Sequence, residues 1–513
     1  MNDDSDSFIY DNDADDFDFE EDTDEAIVIG NYTTGDGIDD FEFIDTERSK
    51  KKVYEVDFKI LDTEQLVLLQ KNEIAEASAI LGTSDEHTRA LLRAFRWNKE
   101  KVIETVMDSP EKAYKKAGLE KIIESRIQPS ITTEPDFSCF ICCEDSSDQE
   151  IVQLECGEIY CLNCHKTFYE QNIVEGNARS ILCVGSCGTL VQDEILKKII
   201  SPEVFQKFNA LQNNYFVDDN KNLKWCPAPD CIYVAQCDVP LSSLSSTIPS
   251  IQCICGHQFC FGCTIGEHLP TLCALGKLWV KKCQDDSETA NWIHANTKEC
   301  PKCFSTIEKN GGCNHMSCRK CAYEFCWVCM GLWSNHGQAW YNCNRFEEKD
   351  STDNRDKQAQ SRASLERYLH YYNRYINHIQ SAKLDQELYA RTEEKMEEMQ
   401  KTSELSWIEV QFLKSAVDTL VQCRHTLKWT YALAFYLKHD NQTYIFESNQ
   451  QDLELATEAL SGLLEEPIEP ESILQLKQMV QDKAKYVSQR RDVLLADLIK
   501  GHTEGRWNYT IKF

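Results

Sequence analysis

The spacing of apolar residues divides the chain into regions of different character. Between residues 53 and 117, apolar side chains from Leu66 and Ile74 onward recur at steps of three or four positions, which indicates amphipathic helices. Gly82 provides a helix stop, and Ser84 shortly after it is a candidate N-cap. We therefore predict a small module of three helices in this region.

The last third of the chain also carries a helical pattern. Residues 344–461, a run of 118 positions, contain no glycine and no proline and place apolar residues at helical period. Breaks are expected near Ser403, at residues 439–443, and around Gly462 and Pro467. The pattern predicts at least four helices, packed as an antiparallel bundle.

The charge distribution sets the first 50 residues apart. They contain 19 Asp or Glu against two basic residues, so about 17 of the net 31 negative charges fall in this segment. We predict that residues 1–50 are a disordered acidic tail, because such a composition buries too little apolar surface. The acidic balance argues against a nucleic-acid binder.

The chain shows no targeting or membrane-spanning pattern. No stretch approaches 18 uninterrupted apolar residues, and the start lacks the basic and apolar regions of a secretory signal. We predict an intracellular protein, in the cytoplasm, the nucleus or both, with neither a membrane nor a nucleic acid among its partners.

The cysteines are concentrated in the middle of the chain. Of 26 cysteines, 25 fall between Cys139 and Cys343, and Cys423 is the remaining one. A reducing compartment disfavours disulfides, so such a pattern indicates metal sites. A structural zinc site takes four Cys or His ligands, so eight donors form two sites.

Two of three cysteine blocks supply eight donors each. The second block offers Cys226, Cys231, Cys253, Cys255, Cys260, Cys263, His268 and Cys273. The third offers Cys300, Cys303, Cys318, Cys321, Cys326, Cys329, His336 and Cys343. Each block predicts two complete zinc sites.

The first block is incomplete. Its seven cysteines are Cys139, Cys142, Cys156, Cys161, Cys164, Cys183 and Cys187. Glu158 lies where an interleaved two-zinc module needs a histidine, and His165 is one step beyond Cys164. A carboxylate can bind zinc. The second site is therefore held weakly by Cys156, Glu158, Cys183 and Cys187, or it is missing, and the total is five or six zinc ions.

Cys313 is left over in the third block. Counting it as a ligand would orphan one member of a Cys-x-x-Cys pair, so we interpret it as a candidate nucleophile. Gly311 and Gly312 before it permit close approach of a second chain. His315, two residues later, is a candidate base; its alternative roles are a zinc ligand or a loop-packing residue.

Several motifs carry a family resemblance. The segments KWCPAPDC, IEKNGGCNHMSC, EFCWVC and HGQAWYNCN, together with LLRAFRWNKEKVIE and ALAFYLK outside the cysteine blocks, resemble the Ariadne subfamily of RING-between-RING ubiquitin ligases. The resemblance extends from about residue 53 to the end. Two departures, Glu158 in place of a histidine and a Cys183 to Cys187 interval one residue shorter than usual, fall in the same expected zinc site.

The resemblance implies a multidomain fold of small zinc-stabilised α+β modules followed by an all-α helical bundle. The expected units are a disordered tail (1–50), a ubiquitin-associated-like helical module (53–117), a first RING (136–200), an in-between-RING module (205–275), a helical linker (276–297), a catalytic second RING (298–345) and a helical Ariadne domain (346–513).

The resemblance also implies a mechanism. The first RING, with Ile141 in its contact loop, recruits a ubiquitin-charged conjugating enzyme. Cys313 accepts ubiquitin as a thioester, a substrate lysine attacks it, and His315 accepts the proton of the lysine. An amine with a pKa near 10.4 is protonated at neutral pH, so the second step requires a base.

The resemblance further implies regulation. The helical domain is expected to mask Cys313 through residues at positions Leu384, Asp385 and Glu458, unless the two acids are simply solvated. The 53–117 module resembles a domain that meets a modified cullin, with Phe95 and Trp97 either as anchors or as its core.

Two other functions remain open from the sequence. One is a zinc-module scaffold without chemistry, and the other is a direct-transfer RING ligase that never uses Cys313.

Overall fold

The computed structural model of the chain describes residues 51–120, 122, 127–135, 137–146, 149–263, 265–285, 297–309, 311–336, 343–346, 357–402, 411–465 and 473–513. The acidic tail predicted to be disordered, residues 1–50, lies outside the described residues. So do residues 286–296 of the predicted linker and the predicted breaks at Ser403 and Pro467.

The first helical module has four helices, not the three that were predicted. They are α1 (Thr63–Leu81), α2 (Asp85–Ala94), α3 (Lys99–Asp108) and α4 (Pro110–Ala117). Gly82 ends α1 in the left-handed conformation with φ 65°, and the Ser84 side chain accepts from the His87 N–H at the start of α2. Pro110 begins α4 at a position where its missing N–H costs nothing, which splits the last expected helix in two.

Phe95 and Trp97 belong to the core of this module. Both side chains are 6% exposed, and Trp97 lies edge-on to Phe216 with ring centroids 4.5 Å apart. Lys116 Nζ covers the Phe95 ring at 3.9 Å. Of the two roles the sequence left open for them, the structure supports the core.

The module is also continuous with a later part of the chain. β1 (Phe58–Leu61) precedes α1 and pairs antiparallel with the strand Val234–Cys237. This strand pair and the Trp97–Phe216 contact join the module to the second cysteine block.

The first cysteine block forms a small α+β unit. Its elements are β2 (Ser130–Glu134), β3 (Phe137–Ser138), β4 (Asp145–Ser146), β5 (Gln149–Gln153), β6 (Ile159–Cys161), α5 (Leu162–Val174) and α6 (Asp193–Ile199). β5 is the central strand of a three-stranded antiparallel sheet, between β2 and β6. Val152, Tyr169 and Leu196 form its apolar core.

The second block follows a long helix. Its elements are α7 (Pro202–Asp219), β7 (Leu223–Trp225), β8 (Val234–Cys237), β9 (Ser250–Gln252), β10 (Gln258–Cys260) and α8 (Cys273–Asp285). β8 is the middle strand of the sheet β1-β8-β7, and β9 pairs with β10. α8 begins at Cys273, within the predicted in-between-RING module, and continues into the predicted helical linker (276–297).

The third block consists of two short hairpins. They are formed by β11 (Thr297–Glu299) with β12 (Thr306–Glu308), and by β13 (His315–Ser317) with β14 (Glu324–Cys326). Cys313 lies in the connection between β12 and β13. Strands of three residues bury little apolar surface, so such a unit depends on metal ligation for its stability.

The elements that the structure describes in the last part of the chain are helices, as predicted. It contains α9 (Lys357–Thr402), α10 (Phe412–Tyr436), α11 (Asn441–Glu465) and α12 (Ile473–Thr503). α10 contacts each of the other three helices, and 16 of its residues are buried. Gly462 lies inside α11, so the helix continues through the expected break at that position as far as Glu465. Among the described helices, none is long and apolar enough to span a bilayer.

Candidate active site and metal centres

Five groups of four Cys or His side chains converge in the described part of the chain, with their ligand atoms within 4.8 Å of one another. The groups are Cys139, Cys142, Cys161 and Cys164; Cys226, Cys231, Cys253 and Cys255; Cys260, Cys263, His268 and Cys273; Cys300, Cys303, Cys318 and Cys321; and Cys326, Cys329, His336 and Cys343. Each is a closed set of thiolate and imidazole donors, the donor set of structural zinc sites.

Both histidines in these groups are oriented for metal binding. His268 Nε2 is 3.1 Å from Cys263 Sγ, while its Nδ1 donates to the Thr271 carbonyl at 2.6 Å. His336 Nε2 is 3.4 Å from Cys329 Sγ, and its Nδ1 donates to the Leu332 carbonyl at 3.2 Å. A carbonyl that holds the far nitrogen fixes the tautomer that a zinc-binding imidazole needs. The residues present therefore fit zinc.

The sixth expected site differs in its donors. Cys156 Sγ is 3.8 Å from Cys183 Sγ, and Glu158 Oε2 is 3.2 Å from Cys183 Sγ. Cys187 Sγ lies 3.2 Å from Thr189 Oγ1 in the same loop. The structure thus brings the Glu158 carboxylate to the sulfurs of this block.

His165 is not part of that group. Its Nδ1 is 2.9 Å from the Tyr169 hydroxyl inside the core, and burial lowers the pKa of His165 to about 4. Gly185 makes room for Glu158, because a Cβ on Gly185 would lie 2.0 Å from Glu158 Oε2. The absence of a side chain at Gly185 therefore leaves free the space that the Glu158 carboxylate fills.

Cys313 belongs to none of the five groups above. The main-chain N–H of His315 donates to Cys313 Sγ at 3.4 Å. The thiol lies 3.8 Å from the Glu458 carbonyl oxygen on α11, so the helical domain covers it directly. Burial, and next the nearby Glu458 carboxylate, raise the pKa of the Cys313 thiol. In this arrangement the sulfur is a protonated thiol at neutral pH.

The backbone around Cys313 binds carboxylates of α11. Glu465 Oε1 accepts from the main-chain N–H groups of Gly312 at 3.0 Å and Cys313 at 3.3 Å. Glu458 accepts from the main-chain N–H of Asn314 and, at 2.8 Å, from its side-chain amide. Three consecutive amides are thus engaged by two carboxylates seven residues apart on one helix face.

A buried charged network lies behind the loop. Arg424 is fully buried and contacts Asp385 Oδ2 from Nε at 3.1 Å, the Glu458 carboxylate, and the Gly312 carbonyl at 3.1 Å. Lys309 Nζ donates to the same Gly312 carbonyl at 3.0 Å. The guanidinium therefore joins α9, α10 and α11 to the backbone next to Cys313.

Asp385 and Glu458 are 0% and 4% exposed, which excludes the alternative that they are solvated helix faces. Burial raises the pKa of Asp385 although Arg424 opposes it. Burial also opposes ionisation of Glu458, but Arg424, together with Lys309 and the main-chain N–H of Asn314, holds the Glu458 pKa below its ordinary value. Leu384 beside them is half-buried.

His315 is the exposed neighbour of the site. Its ring stacks on Trp333 at 4.5 Å between centroids, and its Nε2 is 3.5 Å from a carboxylate oxygen of Glu324. The imidazole is therefore oriented by an aromatic face and a carboxylate, while solvent reaches it. It is not a ligand of the five groups, so the alternative role as one of those ligands is excluded.

The loop of the first block exposes apolar surface. Phe140 is 87% exposed and Ile141 is 46% exposed, between the ligands Cys139 and Cys142. Two adjacent apolar side chains on a metal-fixed loop form a small contact surface.

Four family models match the chain. They are the UBA-like domain of E3 ubiquitin-protein ligase ARIH1 over residues 69–108, the IBR domain, a half RING-finger domain, over 206–273, a further IBR domain over 295–344, and the Ariadne domain over 366–488. Together with the cysteine clusters, they define a multidomain RING-between-RING architecture.

Relatives cover most of the chain. E3 ubiquitin-protein ligase dbl4 of Schizosaccharomyces pombe is 50% identical over 92% of this chain and 93% of its own length. E3 ubiquitin-protein ligase ARIH1 of Homo sapiens is 46% identical over 88% and 82%, and E3 ubiquitin-protein ligase ariadne-1 of Drosophila melanogaster is 44% identical over 94% and 97%. The chain belongs to the Ariadne subfamily of RING-between-RING E3 ubiquitin ligases and is a ubiquitin-transferring enzyme. The resemblance found in the sequence is confirmed.

Several residues of the site were missed from the sequence. Arg424 and Lys309 carry the positive charge of the buried network, and Glu465 contacts the backbone of Gly312 and Cys313. Arg424 had a signal: it is a charged residue at a core-facing position of an apolar helix, and a buried charge needs partners. Glu465 had none, because its partners are main-chain amides 152 and 153 residues away.

Proposed function

We propose that this enzyme takes ubiquitin from a conjugating enzyme onto Cys313 as a thioester and passes it to a substrate lysine. The observation that carries the proposal is a cysteine outside the five metal groups, in a glycine-containing loop whose backbone amides at Gly312 and Cys313 bind a carboxylate. A thiolate is both a strong nucleophile and a good leaving group, as two successive acyl transfers require.

His315 serves the second transfer in this proposal. Its imidazole is solvent-exposed, two residues from the nucleophile, and oriented by Trp333 and Glu324. An incoming lysine must lose a proton to attack the thioester, and an imidazole within reach of the reacting nitrogen can accept it.

The helical domain holds the enzyme in check in the same proposal. Glu458 and Glu465 engage the loop amides, and Arg424 ties Asp385 and Glu458 to the Gly312 carbonyl. We call this the closed arrangement. Because the thiol is covered and protonated in it, ubiquitin transfer requires α11 to leave the loop.

Zinc ions in five or six sites stabilise the three modules. Five groups have complete Cys or His donor sets, and the group around Glu158 supplies a sixth site with a carboxylate ligand. Zinc bound at these sites would hold the short strands of each module together through its four ligands, and it would have no role in the acyl transfer itself. Elemental analysis that gives fewer than four zinc ions per chain contradicts this assignment.

Partners follow from the exposed surfaces. The loop with Phe140 and Ile141 is proposed to contact the conjugating enzyme. A modified cullin is proposed to bind the module at 53–117, where Leu68, Ile80 and Met107 are exposed while Phe95 and Trp97 are buried. We also propose a cytoplasmic or nuclear location for these encounters, which a tagged full-length chain can test by microscopy.

The decisive experiment is a non-reducing gel after incubation with ubiquitin-charged conjugating enzyme. The Asp385→Ala chain is expected to form a thiol-sensitive ubiquitin adduct, and the same chain with Cys313→Ser a thiol-resistant one, because an oxyester replaces the thioester. Cys313→Ala should abolish both the adduct and ligation while leaving the zinc content unchanged. Ligation that survives Cys313→Ala would favour direct transfer, and absence of ligation in every variant would favour a scaffold.

A further inference from the structure

The contact between Glu465 and the catalytic loop has an unusual geometry. A single carboxylate oxygen, Oε1, accepts from two adjacent main-chain N–H groups, those of Gly312 and Cys313, at 3.0 and 3.3 Å. Successive amides that converge on one oxygen form an anion-binding concavity. One of the two N–H groups belongs to Cys313 itself. Because it is joined to the Cys313 Sγ through bonds of the same residue, the concavity stays next to the sulfur.

Acyl transfer through Cys313 requires such a concavity. In loading, the Cys313 thiolate attacks the thioester carbon, the new C–S bond forms as the carbonyl π pair moves onto oxygen, and the pair returns as the thiolate of the conjugating enzyme leaves. In discharge, the amine nitrogen attacks the same carbon, its proton passes to a base, and the Cys313 thiolate leaves. Both steps pass through a tetrahedral carbon that carries an oxyanion.

We propose that the main-chain N–H groups of Gly312 and Cys313 are the oxyanion hole of this enzyme, and that the Glu465 carboxylate occupies it as an oxyanion mimic in the closed arrangement. This inference rests on the proposed thioester at Cys313. Donors 2.7–3.1 Å from the developing oxyanion are the general requirement, and removal of one donor typically costs about 10²–10³ in rate.

The surroundings support this assignment. The Gly312 carbonyl, on the far side of its residue from the N–H, is held by Arg424 at 3.1 Å and Lys309 at 3.0 Å, which fixes the orientation of the loop. Gly312 must be a glycine in the closed arrangement, because a Cβ there would lie 1.9 Å from Asp385 Oδ1. The loop is thus positioned before ubiquitin arrives, as an oxyanion hole must be.

The first test separates an occupied oxyanion hole from simple covering of the thiol. The full-length chain is treated with two ubiquitin probes: a C-terminal aldehyde, whose tetrahedral adduct with Cys313 places an oxygen in the hole, and a C-terminal vinyl sulfone, which labels the thiol without one. Glu465→Ala should strengthen aldehyde capture at least tenfold more than it speeds vinyl sulfone labelling. Asp452, a half-exposed acid on the same helix that pairs with Arg490, provides Asp452→Ala as the control. Equal gains with both probes overturn the proposal.

The second test removes one donor. Asp385→Ala relieves the clash, and in that background Gly312→Pro is compared with Gly312→Ala, since both add a Cβ but only proline lacks the N–H. Gly312→Pro should discharge a Cys313 thioester to free lysine about 10²–10³ more slowly, with vinyl sulfone labelling and zinc content matched. Equal discharge rates, or a parallel loss with both probes, overturn the proposal. If the Asp385→Ala chain forms no thioester, the proposed function fails instead.

Discussion

At the residue scale, the sequence specified ligands better than contacts. Metal donors are recognised by residue type and spacing along the chain, so the donors of the five groups could be named from the sequence, although the second and third blocks were not divided into groups of four. The sequence did not establish whether Glu158 or His165 approaches the sulfurs. The direction of each side chain depends on the element that carries it: His165 lies on α5, and Glu158 lies in the turn before β6. The partners of Arg424 and Glu465 come from distant segments, and spacing along the chain carries no information about them.

The Glu158 site yields a prediction about metal retention. Glu158→His should raise the zinc retained after dialysis against a weak chelator toward six ions per chain, because imidazole is the usual fourth donor beside three thiolates. Elemental analysis measures the gain. Glu150→His on the same sheet is the control, since that side chain is exposed. Unchanged or lower retention in Glu158→His would show that the carboxylate is the better donor here.

His315 yields a prediction about the two half-reactions. His315→Ala should leave loading of Cys313 intact and slow discharge to lysine by about 10²–10⁴, the usual contribution of a general base. Single-turnover discharge of a preformed thioester measures it. The exposed His257, stacked on Phe259 in the second block, provides His257→Ala as the control. Failure of loading in His315→Ala would give His315 another role.

At the element scale, helices were predictable and their packing was not. The helical spacing of apolar residues and the capping residues indicated α1, α2 and the last four helices. The proline that begins α4 was not recognised as a helix start, so one helix fewer was predicted in the first module. Which face of α11 meets the catalytic loop depends on tertiary contacts, namely Glu458 and Glu465 two turns apart. The docking of α11 on that loop is therefore a property of assembled elements.

That docking predicts a pH dependence for Cys313. The closed arrangement raises the thiol pKa, so it binds the proton more tightly than an open one. The stabilisation that the closed arrangement gains from the protonated thiol is complete at pH values below the ordinary thiol pKa of about 8.5, and it declines as the pH rises above that value. The midpoint of the pH profile for iodoacetamide alkylation should thus be higher in the wild type than in Asp385→Ala.

Mass spectrometry of the Cys313 peptide measures the two profiles. Asp452→Ala on the exposed side of α11 should keep the wild-type midpoint, because Asp452 pairs with Arg490 at 2.9 Å away from the loop. Coincident midpoints in wild type and Asp385→Ala would mean that α11 does not shift the ionisation of the thiol.

At the scale of the whole molecule, the second cysteine block, α8 and the last helices share one core, which the sequence did not reveal. Apolar residues of the second block and of α8, including Leu272, Leu275 and Trp279, belong to the same buried cluster as Trp429 of α10. Thr271 Oγ1 donates to the Trp429 carbonyl at 2.6 Å, and His502 Nε2 contacts the Pro270 carbonyl at 3.1 Å. Cutting the chain near residue 350 would expose this cluster, so point variants such as Asp385→Ala test the closed arrangement more cleanly.

The shared core changes what chelation should do. If the zinc modules were independent units, zinc removal would unfold residues 139–343 and spare the last helices, but Cys260, Cys263 and Cys273 are themselves in the common cluster. Zinc modules unfold without metal, and the side of α10 that contacts α8 would then face water. Hydrogen exchange within Phe412–Tyr436 should therefore accelerate on chelation, although no ligand lies in that helix.

His268→Ala should cause part of the same acceleration with zinc present, whereas His268→Cys, which restores four donors, should not. Unchanged exchange in α10 after complete zinc removal would mean that the four helices fold as an independent unit and that the shared cluster contributes little to their stability.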